Sequence, residues 1–202
     1  MKEIEYKILN ISKVLFKKFG FKSVTMDDIA RELGMSKKTI YNHFSNKKEL
    51  VSRSIDLYIE AEGQSICCIN DKDVDAVYEM FLIAGHVRQV FKEIGTRTMY
   101  DLNKYYKESA LKLHQFMTDN IYNSITDNLT KGIKDGLYRE DVPIGIIARF
   151  YVAKAQIIKD DAIFPRDKFS KDLVVDTLLE YHLRAIVTPK GAKLINKYTE
   201  TN

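Results

Sequence analysis

The chain has 202 residues, 45% of them hydrophobic and 30% charged, with 9 Gly and 3 Pro. This composition is ordinary for a globular protein that buries a core, and it leaves little room for a turn-rich β architecture. The net charge of +4 is uneven, because residues 1–53 contain 12 Lys and Arg against 6 Asp and Glu, a net charge of +6. A basic N-terminal quarter on a slightly acidic body favours a polyanionic partner.

No run of about 18 apolar residues is present, and charges interrupt the apolar pairs of the first twenty residues. A membrane span and a secretory signal peptide are therefore not predicted. We expect the protein to lie in the cytoplasm, without contact to a membrane.

The first helices are marked by periodicity and by their caps. Apolar residues recur at steps of three and four over 4–19, with lysines on the other face, and Gly20 is placed to end this helix. Thr25, with Asp28 three residues later, resembles a capping box and predicts a short helix over 26–33.

Two more helices follow, each after a serine that can cap it. Ser36 predicts a helix over 37–44, and Ser45 predicts a longer one over 46–66. Gly34 separates the second helix from the third and suits a backbone with positive φ.

Helical periodicity continues along the rest of the chain, with breaks at Asn70–Asp71 and near Gly95. The segments with an apolar stripe lie near 73–92, 97–108, 109–134, 143–158 and 169–187. The polar segment after Pro189 is predicted to be a frayed tail. The predicted fold class is therefore all-α.

The spacing around Gly34 is that of a helix-turn-helix. Counted from Met26, a small residue (Ala30) is fifth, Gly34 is ninth and a branched apolar residue (Ile40) is fifteenth. A small fifth residue lets the second helix approach the first, and the branched residue holds it there. This motif places its second helix in the major groove of DNA.

The side chains around Ile40 divide into two faces at about 100° per residue. Phe44 lies on the side of Ile40, whereas the outward side and its flanks hold Lys37, Lys38, Thr39, Tyr41, Asn42 and His43. Lysine can donate to guanine, asparagine can pair with adenine, and tyrosine and histidine can donate to phosphate. Whether Lys38 and Asn42 bind bases or only the backbone stays open.

The run TMDDIARELGMSKKTIYNHFSNKKEL resembles the DNA-binding domain of the tetracycline-repressor (TetR) family over about residues 5–51. The family pattern Y-x-H-F followed by K-x-x-L is here Tyr41 to Phe44, then Lys47 and Leu50. The resemblance implies DNA contacts from Thr25, Ser36, Lys37, Lys38, Tyr41, His43 and Lys47, to which Asn42 is added as a variable position.

The resemblance also implies the function and the domain organisation. It implies a homodimeric transcriptional regulator, usually a repressor, that a small-molecule effector releases from a palindromic operator. We expect a three-helix helix-turn-helix DNA-binding domain over 1–52, a larger helical effector-binding and dimerisation domain over 53–189, and the polar tail over 190–202. We expect no cofactor and no enzymatic activity.

Effector contacts are expected from aromatic, histidine and methionine side chains of the C-terminal body. The candidates are Phe81, His86, Phe91, Tyr100, Tyr105, His114, Phe116, Met117, Phe150 and Tyr151. Two late helices suit self-association: one has an apolar stripe over 144–158 (Ile144, Ile147, Tyr151, Ala155 and Ile158), and the other, over 169–187, is apolar on nearly all sides.

The alternative functions are a DNA-binding protein without effector control, a helical enzyme and a protein-interaction module. A ligand-independent activator or an architectural DNA-binding protein keeps the helix-turn-helix but lacks effector control. An enzyme is disfavoured, because the sequence has neither a nucleophile–base pattern nor a glycine-rich phosphate loop. A metal site is disfavoured as well, since His86 and His114 lack the spacing of metal ligands.

Overall fold

The computed structural model describes residues 3–70, 72–93 and 96–201. Over these ranges the chain forms ten α-helices and no β-strand, which confirms the predicted all-α fold. The helices are α1 (Glu3–Phe19), α2 (Met26–Glu32), α3 (Lys37–Tyr41), α4 (Lys47–Asn70), α5 (Ala76–Glu93), α6 (Thr96–Tyr105), α7 (Lys107–Lys134), α8 (Ile144–Ile157), α9 (Lys171–Ile186) and α10 (Pro189–Thr201).

The chain forms two compact units. The N-terminal unit comprises Met1–Gln64 and Lys92–Phe116, and the C-terminal unit comprises Ser65–Phe91 and Met117–Asn202. The N-terminal unit thus holds α1 to α3, most of α4, α6 and the beginning of α7. The predicted functional boundary between residues 52 and 53 is a different division, and it stays a prediction.

The helix bounds agree with the sequence patterns to within a few residues at most ends. Gly20 follows α1 with φ 83°, so its predicted role as a helix stop is confirmed. The largest difference is α4, which continues to Asn70 rather than ending near residue 66. Of the predicted breaks, Asp71 and Gly95 lie outside the described residues.

The expectation of a frayed tail after Pro189 is wrong, because α10 occupies this segment. Ile195 on α10 is 1% exposed and belongs to the core of the C-terminal unit. The hydroxyl of Tyr198 also donates to the carboxylate of Asp75. A few apolar side chains on one face of a polar helix are enough to hold it against a core.

The core of the C-terminal unit contains a small polar network around Tyr138, which is 1% exposed. Its hydroxyl lies 2.9 Å from the carbonyl oxygen of Ala76 and 3.0 Å from Oδ1 of Asn128. The Nδ2 of Asn128 donates to the same carbonyl at 2.9 Å. Hydrogen bonds offset the cost of burying these polar groups.

Two neighbouring features of α8 differ from the sequence prediction. A stripe on α8 was predicted for self-association: Ile144, Ile147, Tyr151, Ala155 and Ile158. All of these but Ala155 pack against the core of their own unit, so the prediction that the stripe faces a second subunit is wrong. The outward apolar side chains of α8 are instead Ile146, Phe150 and Ile157, which are 57%, 57% and 41% exposed. Periodicity alone could not show which face of α8 is turned outwards, because both faces are apolar.

Tyr151 offers a test of the C-terminal core. Its hydroxyl is buried and has no hydrogen-bond partner among the residues that the structure describes. Burial accordingly raises the pKa of Tyr151 well above its ordinary value. Tyr151→Phe should increase the free energy of unfolding by about 1 kcal/mol, because it removes an unpaired buried polar group. Urea denaturation followed by circular dichroism measures this change.

The matched control is Tyr138→Phe, which removes a hydroxyl with partners and should decrease the free energy of unfolding by about 1–3 kcal/mol. Equal destabilisation by the two substitutions would contradict the difference between the two hydroxyls.

Candidate nucleic-acid interface

The turn between α2 and α3 holds α3 in a single orientation. Gly34 has φ 62°, which confirms the predicted left-handed conformation. Ile40 is 0% and Phe44 is 2% exposed, and Ala30 on α2 is 4% exposed. Since the inner side of α3 is buried in this way, its other side must face outwards.

Polar caps fix where α2 and α3 begin. The backbone N–H of Asp28 donates to Oγ1 of Thr25 at 3.1 Å, and that of Thr25 donates to Oδ2 of Asp28 at 2.9 Å, which confirms the capping box. The Thr25 hydroxyl also donates to Oδ2 of Asp28 at 2.7 Å. This bond first, and then the bond from the Thr25 N–H, holds the pKa of Asp28 below its ordinary value. Ser36 caps α3 by accepting from the N–H of Thr39 at 3.1 Å.

The cap of α4 differs from the prediction by one residue. Asn46, rather than Ser45, accepts the N–H of Glu49 at 2.9 Å, so the predicted cap is wrong. Ser45 instead donates both its N–H and its hydroxyl to the carboxylate of Glu49, at 2.8 and 2.6 Å. The predicted α3 was also too long, because it ends at Tyr41 with Asn42 as its C-cap.

Four polar side chains form the outward side of α3, here termed the recognition face: Lys37, Lys38, Tyr41 and Asn42, all of them exposed. Nζ of Lys37 lies 3.0 Å from Oδ2 of Asp27, and this hydrogen-bonded ion pair raises the pKa of Lys37. Both partners are about half exposed, so the pair is weak and can exchange Asp27 for another anion.

His43 and Lys47 are placed differently from the recognition face. The side chain of His43 is 16% exposed, and its Nδ1 lies 3.4 Å from Oε1 of Glu5 on α1. Lys47 is half-buried, donates to the carbonyl oxygen of Lys22 at 3.2 Å, and has its pKa lowered by burial. The DNA contacts of both residues remain predictions. The low exposure of His43 and its contact with α1 favour a packing role for this side chain.

The N-terminal unit also includes a connection that sequence reasoning missed. The carboxylate of Asp101 on α6 accepts the N–H of Lys22, in the turn after α1, at 2.8 Å. Arg97 donates to the hydroxyl of Ser23 in the same turn at 3.0 Å. Asp101 is only 4% exposed. No local pattern could reveal this connection, because Lys22 and Asp101 are 79 residues apart.

The ten candidate effector residues are divided between the two units. Phe81, Phe91 and Tyr151 pack against the core of the C-terminal unit. His86, Met117 and Phe150 belong to the same unit, whereas Tyr100, Tyr105, His114 and Phe116 belong to the N-terminal unit. Three of the candidates lie on the surface: Tyr100, Tyr105 and Phe150 are 57%, 42% and 57% exposed.

Two features are absent from the described residues. None of their helices combines the length and the apolar character needed to cross a bilayer. No group of three or more His, Cys, Asp or Glu side chains within these ranges is arranged to hold a metal ion.

The buried inner side of α3, its outward polar side and the tight turn before it define a helix-turn-helix protein. Residues 8–53 match the sequence signature of the bacterial regulatory proteins of the tetR family. The chain is 26% identical over 168 residues to the HTH-type transcriptional regulator YfiR of Bacillus subtilis, and the match covers 78% of each chain. Residues 8–53 are therefore a DNA-binding domain of the tetR family, the domain of a transcriptional regulator.

Two further similarities agree with this assignment. IcaR of Staphylococcus aureus, the negative transcriptional regulator of the biofilm operon icaADBC, is 24% identical over 133 residues, covering 53% of this chain and 72% of IcaR. The fold is shared with a transcriptional regulator from Saccharomonospora viridis in complex with choline, with a TM-score of 0.76 and 19% identity over 93% of this chain and 100% of that chain.

The cap of α2 can be tested directly. Thr25→Val removes the hydroxyl that accepts the N–H of Asp28, and it should lower the free energy of unfolding of the N-terminal unit by about 1 kcal/mol. The pKa of Asp28 should rise towards its ordinary value. Urea denaturation and an NMR titration of the carboxyl carbon measure the two effects.

The pH dependence follows from the sign of this shift. A lowered pKa means that the Asp28 carboxylate stabilises the folded state above its unfolded pKa, and this contribution is lost as the pH falls through the folded pKa. The stability difference between Thr25→Val and the wild type should therefore shrink on acidification. In the control Thr130→Val, the lost hydroxyl donates to the carbonyl of Thr126 within α7, far along the chain from the cap, so the pKa of Asp28 should stay unchanged.

Proposed function

We propose that this regulator is a homodimeric repressor that binds a palindromic operator through α3 and is released from it by a small-molecule effector. The observation that carries the proposal is the recognition face, four exposed polar side chains on a helix whose opposite side is buried. In this proposal residues 1–52 bind DNA, and residues 53–189 bind the effector and the second subunit. IcaR is a negative regulator, and this supports repression rather than activation of transcription.

The side chains of the recognition face suit different parts of DNA. Lys38 and Asn42 are the candidates for base edges, through guanine O6/N7 and adenine N6/N7. Tyr41 and Lys37 suit phosphates, and Lys37 would exchange the carboxylate of Asp27 for a phosphate. Thr25 and Ser36 act first as caps, and phosphate contact would be additional.

Lys37 and Asp27 provide the test of DNA binding. Lys37→Gln should weaken binding to operator DNA and reduce the slope of log K against log salt by about 0.9, as expected for one lost phosphate contact. Asp27→Asn should strengthen binding, because it removes the carboxylate that competes with phosphate for Lys37. Fluorescence anisotropy titrations at several salt concentrations measure both effects.

The matched control is Lys193→Gln, which neutralises an exposed lysine on α10 in the C-terminal unit. This variant should bind like the wild type. If Lys37→Gln and Lys193→Gln behave alike, the recognition face is not the DNA-binding surface. In a footprinting experiment, protection of any DNA evenly along its length would instead indicate an architectural protein.

The outward sides of α8 and α9 support the homodimer. Ile146, Phe150 and Ile157 on α8 are exposed at helical spacing, as are Leu173 and Tyr181 on α9, at 56% and 71%. Large exposed apolar side chains on neighbouring helices are typical of protein interfaces. A second copy of the same surface satisfies the symmetry of a palindrome.

Phe150 tests this interface. Phe150→Glu should convert the dimer into a monomer and weaken operator binding, since a carboxylate would be buried without a partner. Leu111→Glu changes a side chain that is 68% exposed on α7, outside α8 and α9, and should leave the dimer intact. Sedimentation velocity distinguishes the two states. A monomeric wild type, or a dimer that tolerates Phe150→Glu, would rule out this interface.

The C-terminal unit is the proposed place of the effector site. The buried hydroxyl of Tyr151 has no hydrogen-bond partner within the described part of the chain, and a ligand can satisfy such a group. The ring of His182 packs edge-on against Tyr151 at 4.4 Å between centroids. Burial lowers the pKa of His182 to about 3, so this ring is neutral at ordinary pH. The choline bound by the S. viridis regulator supports ligand control in this fold.

A further inference from the structure

The N-terminal unit contains a cavity of about 80 Å³ that belongs neither to the recognition face nor to the candidate effector residues. Its walls come from α1, α4, α6 and α7, and its apolar lining includes Phe16, Ile55, Met99, Leu102 and Leu113. We call it the α1–α6 pocket. All of its lining residues belong to the N-terminal unit.

The size of the α1–α6 pocket suits a small organic group. One water molecule needs about 10–15 Å³ by a comparable measure, so the pocket has room for roughly five or six non-hydrogen atoms. Two of the hydroxyl groups in its lining already donate within the protein, that of Ser54 to the carbonyl of Leu50 at 2.8 Å and that of Thr98 to the carbonyl of Phe16 at 3.4 Å. The interior therefore favours an apolar occupant such as a short acyl chain or a single ring.

The charged side chains that line the α1–α6 pocket are all cationic. Lys13 and Lys17 of α1 contribute to its wall, and both are exposed, so they can meet solvent. Nζ of Lys13 lies 5.9 Å from the centroid of the Tyr58 ring, another lining residue. Among the described lining residues none is Asp or Glu. This arrangement attracts an anion to a position beside an apolar cavity.

We propose that the α1–α6 pocket binds a small monocarboxylate, with its apolar body among Phe16, Ile55 and Met99 and its carboxylate paired with Lys13. The bound molecule would contact α1, α4 and α6 together. Because it would bind only the folded N-terminal unit, it would stabilise that unit by mass action. The site is separate from the effector site proposed for the C-terminal unit.

Methionine methyl groups report which site a ligand occupies. Met99 lines the pocket, whereas Met26 belongs to α2, and Met80 and Met117 belong to the C-terminal unit. The full chain labelled with ¹³C-methyl methionine is titrated with hexanoate, and with 1-hexanol as the uncharged match. Met99→Leu identifies the Met99 signal.

Hexanoate should shift the Met99 signal in a saturable manner with a Kd on the order of 1 mM, as expected for so small a ligand. Hexanol should bind several-fold more weakly. Lys13→Gln should reduce hexanoate affinity to the level of hexanol. The control Lys18→Gln, which changes a lysine of α1 outside the pocket lining, should leave hexanoate affinity unchanged.

Ile55→Phe fills the cavity and should abolish the Met99 shift for both ligands, and Lys13→Gln gives an independent test on the surface if the Phe variant does not fold. An unmoved Met99 signal would overturn the proposal, and so would shifts confined to Met80 and Met117. Equal affinities for hexanoate and hexanol would overturn the recognition of an anion. None of these results depends on operator binding, so this proposal and the proposed function fail separately.

Discussion

The burial of Ile40 is the constraint on which the DNA-binding surface depends. A helix of five residues such as α3 is far too short to be stable alone, because its nucleation cost exceeds what one turn of hydrogen bonds returns. It exists because Ile40 is fully buried and because Gly34 and Ser36 fix its beginning. The same anchoring decides which side chains face outwards.

The helix-turn-helix is itself part of a larger packed unit. Asp101 on α6 accepts the N–H of Lys22 in the turn after α1, and Phe21 in this turn packs against Tyr106 with ring centroids 5.9 Å apart. Lys112 at the beginning of α7 pairs with Asp56 on α4. A fragment ending at residue 52 would lose these contacts. The structural unit that holds the recognition face is therefore larger than the sequence motif.

Local patterns in the sequence predicted the features that short-range interactions determine. The helices up to residue 50, the capping box of Thr25 and Asp28 and the positive φ of Gly34 follow from short-range periodicity and backbone sterics. The partners Asp27, Glu5 and Asp101 could not be predicted, because they depend on how separate helices pack. For the same reason His43 was expected on an outward flank, although its side chain is turned towards Glu5 on α1.

The C-terminal unit shows the limit of periodicity more clearly. On α8, residues such as Ile147 and Ile146 are both apolar, yet one packs on the core and the other is 57% exposed. On α10, Leu194, Ile195 and Tyr198 pack on the core and help to hold a segment whose composition suggested a frayed end. Which apolar face becomes a core and which an interface is a property of tertiary packing.

Selection of bound sequences from a pool of random DNA duplexes tests the central claim most directly, that the outward side of α3 reads DNA in two symmetric copies. The account predicts enrichment of an inverted repeat whose half-sites suit two major-groove helices, and a changed base preference within each half-site for Asn42→Ala. The account would be contradicted if the wild type enriched no sequence. It would also be contradicted if Asn42→Ala and Lys38→Ala both enriched the same sequence as the wild type.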